Sequence, residues 1–133
     1  HHYRKKNLSY IGYGGNGNQL RDVLHIEDLL RLINIQIKNF NKIYNKKFCV
    51  GGSTKSYTSL KDLTIMCEKV TGNKIKFKRQ RKTSIYDIPY YLTDNYYITK
   101  TYKWSPKKNI MNIVKDTYKW LIENKKELIK THS

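Results

Sequence analysis

The chain has 133 residues, 27 of them Lys or Arg against 10 Asp or Glu, giving a formal net charge of +17, and it holds two cysteines. That length suits one modest core but is short for a complete two-lobed enzyme. No run of about 18 apolar residues is present, so no transmembrane helix is expected. Cys49 and Cys67 have neither C-x-x-C spacing nor a neighbouring histidine pair, which excludes a structural zinc site and gives a disulfide little support.

Taken in chain order, His1 and His2 read as the tail of a purification tag, leaving residues 3–133 as the functional portion, and no secretory signal follows them. Residues 12–28, GYGGNGNQLRDVLHIED, hold Gly12, Gly14 and Gly17 in the G-x-G-x-x-G spacing of a dinucleotide loop. That fingerprint requires a helix immediately after the last glycine. Here a short strand-like run comes next, so the Gly/Asn cluster between YIGY and LRDVLHI predicts the turn of an antiparallel hairpin.

From Ile26, Leu29, Leu30, Ile33, Ile37 and Phe40 recur at helical spacing, predicting an inward apolar face, with Asp28 in the first turn and an end within residues 41–45. Phe48, Cys49 and Val50 predict a short buried strand closed by Gly51 and Gly52. Ser59 and Asp62 resemble a capping box for a helix with Leu60, Leu63, Cys67 and Val70 inward, ended by Gly72 and Asn73. Cys67 is then a small buried hydrophobe. The alternation Lys-Ile-Lys-Phe-Lys from Lys74 places Ile75 and Phe77 on one face of an edge strand. A short helix comes after the Asp94 cap, and a last helix over residues 110–128 turns Ile110, Ile113, Val114, Tyr118 and Leu121 inward. The pattern is α/β, a hairpin and short strands with three main helices.

The stretch G-x-Q-x-R-D-V-x-H-I-x-D-L, here Gly17, Gln19, Arg21, Asp22, Val23, His25, Ile26, Asp28 and Leu29, resembles the C-terminal part of extended short-chain dehydrogenase/reductases acting on nucleotide sugars. The resemblance continues collinearly through FCVGGS (48–53), SLKDLTIMCEKVTGNKI (59–75), DIPYYLTDN (87–95) and WSPKKNI (104–110), and is greatest to the CDP-paratose 2-epimerase group. It implies the C-terminal portion of an extended SDR fold lacking the N-terminal Rossmann core. It further implies a cytoplasmic nucleotide-sugar-binding fragment of an NAD-dependent epimerase/dehydratase, with a CDP-sugar as substrate and the missing Rossmann part as partner. NAD is the cofactor implied for the complete enzyme, which would pass a hydride transiently to it, whereas no cofactor is expected on this fragment. Surfaces facing the missing lobe would be left apolar, so self-association as a homo-oligomer is expected.

No catalytic residue is expected here. The spacing Tyr-x-x-x-Lys does occur, as at Tyr96 and Lys100, and with so many tyrosines and lysines such a match is expected by chance. The substrate-binding candidates are Tyr13, Arg21, Cys49, Arg81 and Lys82. The resemblance implies that Arg21 contacts the pyrophosphate, where a guanidinium fork suits two phosphate oxygens, against a surface pair with Asp22 or Asp28. Tyr13 would stack on the base or serve as a cross-strand aromatic. The second family cation falls at Ser84, with Arg81 and Lys82 displaced upstream, and Cys49 stands where relatives carry an Asn, a better hydrogen-bonding group than a thiol. Gln19, His25, Asp28 and Trp104 read as structural.

The charge supports a rival function. Basic residues fill six of the nine positions 74–82, beside Phe77, as in a small basic nucleic-acid or polyanion module. Against it, Lys supplies 22 of the 27 cations, and Asn, Lys, Ile and Tyr, which share AT-rich codons, make up 61 of 133 residues. Nucleic acid and membrane are therefore not expected partners.

Overall fold

A computed structural model describes residues 1–40 and 46–130, so the expected helix end within 41–45 lies outside the described residues. The chain divides into two compact units, one of residues 1–18, 60–87 and 111–133, the other of residues 19–59 and 88–110.

In the first unit, strand β1 (Leu8–Ile11) pairs in parallel with a second strand far along the chain, Phe77–Gln80, in the register Leu8 to Phe77 and Ile11 to Gln80. Gly12 N extends the ladder to Gln80 O at 2.8 Å. The expected hairpin is therefore incorrect. The run after the glycine turn, β2 (Leu20–Asp22), lies in a different sheet from β1. The physical reason is visible in the turn, a 3-10 segment Tyr13–Gly15 with positive φ at Gly12, Tyr13, Gly14, Gly15 and Gly17. A two-residue hairpin turn needs at most two such residues; this longer left-handed path redirects the chain instead.

Tyr10 organises this unit. It is buried, donates its hydroxyl to Thr64 Oγ1 at 2.8 Å, and stacks on Phe77 with ring centroids 4.4 Å apart. Thr64 belongs to a helix over Leu60–Thr71, which starts directly after Ser59 as expected and ends in the left-handed Gly72. A further helix, Ile110–Glu123, is succeeded after Asn124 by a short one, Lys125–Lys130, so the single last helix of the sequence pattern is two. Asn124 N still bonds Trp120 O and Leu128 N bonds Asn124 O, keeping the break to one residue. His2 is buried, with Nδ1 on Asn73 O at 3.0 Å.

In the second unit, β2 is central. It pairs antiparallel with β3 (Tyr57–Ser59) and in parallel with Tyr90–Tyr91. In chain order Phe77–Gln80 is thus β4 and Tyr90–Tyr91 is β5. The helices here are α1 (Ile26–Lys38) and the short α3 (Tyr96–Tyr102), with α2 being Leu60–Thr71, α4 Ile110–Glu123 and α5 Lys125–Lys130. The three long helices match the expected three. The core is Leu32, Ile98 and Trp104, with Leu24, Ile35, Phe48, Val50 and Tyr102 packed on it.

Two expectations fail in this unit. The inward residues of α1 are Asp28 and Leu32, whereas Ile26, Leu30, Ile33 and Ile37 are exposed, and Phe40 beyond the helix is exposed too. Six apolar residues between Leu29 and Ile37 give periodicity on more than one face, so spacing alone does not select the buried one. Residues 48–50 form no strand; Phe48 and Val50 are half-buried and Cys49 is exposed. Their anchor is a reciprocal pair, Gly51 N to Asn95 Oδ1 at 3.0 Å and Asn95 Nδ2 to Gly51 O at 2.8 Å, which stands in for a strand partner.

Candidate functional site

The expected ligand contacts fall in both units, and each set has its own geometry. Arg21 sits near the end of β2, opposite Thr58 and Tyr91. Its Nη1 donates to Leu20 O at 2.8 Å and its Nη2 to Ile88 O at 2.7 Å. These two carbonyls hold the half-buried guanidinium at the entry to β5. The side chains offered as its rival partners are otherwise engaged: Asp22 Oδ2 accepts from Ser53 N at 2.7 Å, and Asp28 pairs with Arg31 at 2.6 Å. Cys49, in the same unit, presents its thiol side to solvent between the two inward residues.

In the other unit, Tyr13 has a left-handed backbone, φ 46°, and clasps the loop after β4 at two points. Its N donates to Thr83 Oγ1 at 2.7 Å and its hydroxyl to Asp87 O at 2.6 Å. Asp87 N closes the enclosed turn on Ser84 O at 3.1 Å. Arg81 and Lys82 are exposed just upstream of Thr83. Tyr13, Arg81 and Lys82 therefore share one loop system, and the cross-strand role for Tyr13 lapses with the hairpin.

The glycine loop does not build a pyrophosphate cradle. A Cβ on Gly15 would lie 2.7 Å from Arg79 Cβ, and one on Gly17 would lie 3.0 Å from the Tyr10 ring. Protein therefore fills the space against Gly15 and Gly17, and the chain runs from Gly17 into β2 where the fingerprint requires a helix.

The remaining polar candidates are structural. His25 is the N-cap of α1, with Nδ1 accepting from Glu27 N at 3.1 Å. Asp28 lies in the first turn of α1 as expected, and it also organises the turn before α4. Its Oδ2 accepts from Lys107 N and Lys108 N at 2.9 Å each, its Oδ1 from Arg31, and its main-chain oxygen from Trp104 Nε1 at 3.1 Å. Burial raises the Asp28 carboxyl pKa, but the two N–H groups and the Arg31 guanidinium reverse this and hold it below its ordinary value. Burial pushes the Cys67 thiol up; it is half-buried beside Leu63 and Val114 on an apolar cavity.

Tyr96 and Lys100 do meet on α3, with Nζ 5.8 Å from the ring centroid. That places the ammonium over the ring as a cation–π contact. Asp94 Oδ1 accepts from Tyr96 N at 2.8 Å, as a helix start requires, whereas Asn95, a residue to which the sequence pattern gives no role, is the buried clamp on Gly51. An Asp-Asn pair before a helix was the available signal. Among the described residues no group of three or more His, Cys, Asp or Glu could hold a metal, and no helix is long and apolar enough to cross a membrane.

No family model matches the chain. The curated CDP-paratose 2-epimerase of Salmonella typhi is 32% identical over 106 residues, which is 80% of this chain and 31% of that protein. The chain thus spans about a third of its relative's length. Among solved structures, UDP-glucuronic acid 4-epimerase from Bacillus cereus, in complex with UDP-glucuronic acid and NAD, superposes with a TM-score of 0.76 at 20% identity, over 90% of this chain and 36% of that one. UDP-glucose 4-epimerase from Thermotoga maritima, with UDP-glucose, gives 0.71 at 21% over 92% and 37%. dTDP-glucose 4,6-dehydratase from Bacillus anthracis, with NAD, gives 0.68 at 15% over 87% and 35%. These superpositions establish the fold.

Proposed function

Because the chain belongs to the NAD-dependent epimerase/dehydratase family of extended short-chain dehydrogenase/reductases, as the C-terminal portion of that fold, we propose that it carries the nucleotide-sugar side of such an enzyme, with a CDP-linked sugar as ligand. The observation that carries this reading is Arg21, a guanidinium on the central strand β2 that is held by two backbone carbonyls. Held there, the planar group is preorganised, and a fork of this kind meets two oxygens of a pyrophosphate with little further loss of freedom. In the other unit, Tyr13, Arg81 and Lys82 are the proposed substrate-binding candidates, with the phenol clasp setting the path of the loop that bears both cations. Cys49 is assigned to the same ligand as a weak substitute for an amide.

NAD belongs, in this proposal, to the rest of the enzyme, where it supplies reversible hydride transfer. The exposed stripe of Ile26, Leu30, Ile33 and Ile37 on α1 is what a Rossmann lobe would cover. A basic nucleic-acid module is not favoured, because the relative and the fold are both those of nucleotide-sugar enzymes.

Calorimetric titration of CDP into the 133-residue chain, its Arg21→Ala form and its Arg21→Lys form is the test. Losing a hydrogen bond to a charged group costs about 1.5–3 kcal/mol, so Ala should weaken binding by roughly 10- to 150-fold. Lys should recover only part, since an ammonium lacks the fork. Equal CDP affinity in all three forms would refute the assignment.

A further inference from the structure

We propose that the unit containing β1, β4 and α2 holds a second nucleotide site, one that takes a free nucleoside monophosphate with its base on Phe77 and its phosphate on Lys61 and Arg79. The site is a cleft of about 420 Å³ in that unit, within the size range of small-molecule pockets. Arg21 is not among the residues that line it.

The placement follows from the elements. Phe77 and Arg79 are two apart on β4 and therefore project from the same side of the strand. Tyr10 covers Phe77 on one side, yet 44% of the Phe77 surface stays exposed, so the aromatic stack can be continued by a further flat ring. Lys61 and Glu68 are seven residues apart on α2, two turns along the same helix face and about 10 Å from each other by helix rise.

The glycine loop gathers the cations. Gly17 O accepts from Lys61 N at 2.9 Å, while Gly15 lies flush against the Arg79 backbone, so Lys61 and Arg79 share the end of the cleft closed by this loop. Asn16 and Asn18 line the cleft from the loop and add amide donors at that end. Glu68 and Lys74 stand at the other end, a carboxylate and an ammonium able to read the edge of a base. Neither Lys61, Lys74 nor Arg79 forms an ion pair with a described residue. Cations at one end, an open aromatic in the middle and a mixed donor and acceptor pair at the far end are the order of groups in a nucleotide.

The test is titration of the 133-residue chain with 5′-AMP, inorganic phosphate and a dT oligonucleotide, with backbone amide shifts followed by NMR. AMP should shift residues 16–18, 61, 68, 77 and 79, and should bind at least tenfold more tightly than phosphate, because stacking on an aromatic adds to affinity. Arg79→Gln, an exposed substitution, and Phe77→Ala, which leaves the charge unchanged, should each weaken AMP by about tenfold. Lys119→Gln on exposed α4 and Arg21→Ala should not, which separates this site from the Arg21 site. Should Phe77→Ala fail to fold, Arg79→Gln and the wild-type shifts decide. The proposal is overturned if AMP shifts spread over surface lysines, if phosphate binds as tightly as AMP, if Lys119→Gln costs as much as Arg79→Gln, or if the oligonucleotide binds per nucleotide more tightly than AMP.

Discussion

Asp28 offers the most quantitative check on how the Arg21-bearing unit is built. Replacing it by Ala removes the acceptor for two main-chain N–H groups, those of Lys107 and Lys108, and the partner of Arg31. Asp28 is 2% exposed, so water does not readily replace the lost acceptor. Each N–H left without a partner costs about 1–1.5 kcal/mol, and a charged pair broken at one member raises the total to about 3–5 kcal/mol. The lower part of that range is expected, because Arg31 keeps its bond to Ser105 O at 2.5 Å and 30% of its side chain is exposed. Asp28→Asn preserves an oxygen for the N–H pair but turns an amide toward Arg31, so about 1.5–2.5 kcal/mol is expected.

Urea unfolding followed by the fluorescence of Trp104, which is fully buried and bonded to the Asp28 main chain, measures this directly. With a slope near 1.5 kcal/mol/M, the Ala form should lose about 2 M in midpoint. The pH dependence gives an independent sign. The folded carboxyl lies below its unfolded value, about 3.9, so its contribution is complete above that pH and is lost as pH falls through the folded pKa. The gap between wild type and Asp28→Asn should therefore be constant at neutral pH and narrow in acid. A gap that widens in acid, or an Ala form as stable as wild type, would refute the role given to Asp28.

Three further outcomes are expected. Gly51→Ala should destabilise by more than about 3 kcal/mol in the same urea assay, since a Cβ there would overlap Thr93 and the Asp22 carboxylate and break the Asn95 clamp. Gly72→Ala, where a Cβ meets nothing within 4 Å but φ is +69°, should cost only about 1 kcal/mol, and a larger loss would mean that Gly72 is needed for more than its backbone angle. Leu30→Lys with Ile37→Lys, at positions 52% and 67% exposed, should shift sedimentation toward monomer without lowering the urea midpoint, and unchanged association would clear α1 of that role.

Much of the fold was legible because local chemistry decides it. The starts of α1, α2 and α4 and the Asp94 bond before α3 follow from spacing and caps within a few residues, whereas the edge strand expected from Lys74 is shifted to Phe77–Gln80, with Ile75 buried outside it. The features that were not legible depended on distant partners. β1 pairs with a strand 69 residues later, and no property of YIGY names that partner. The buried face of α1 is set by Trp104 and Ile98, which reach Leu32, whereas the apolar residues on its other face have the same composition and stay exposed. Of the candidate site, the strand position of Arg21 was readable from its motif; the carbonyls of Leu20 and Ile88 that hold it were not, since backbone acceptors leave no mark in the side-chain sequence.

The glycine loop shows why composition underdetermines chemistry at such sites. Glycine is required at Gly12, Gly14, Gly15 and Gly17 because each has φ between 67° and 80°, a region costly for other residues. A dinucleotide loop demands glycine for the same two reasons found here, left-handed backbone and close approach. The approaching group differs: at Gly15 it is the backbone of Arg79, and at Gly17 it is the ring of Tyr10. Which of the two roles a glycine serves is decided by the element that the chain enters next. A helix would aim its N–H groups at a phosphate, whereas here Leu20 N, at the start of β2, donates to Pro89 O and Val23 N, just after it, to Ser56 O, leaving neither for an anion. The context after Gly17, more than the spacing of the glycines, therefore carries the functional information in this stretch.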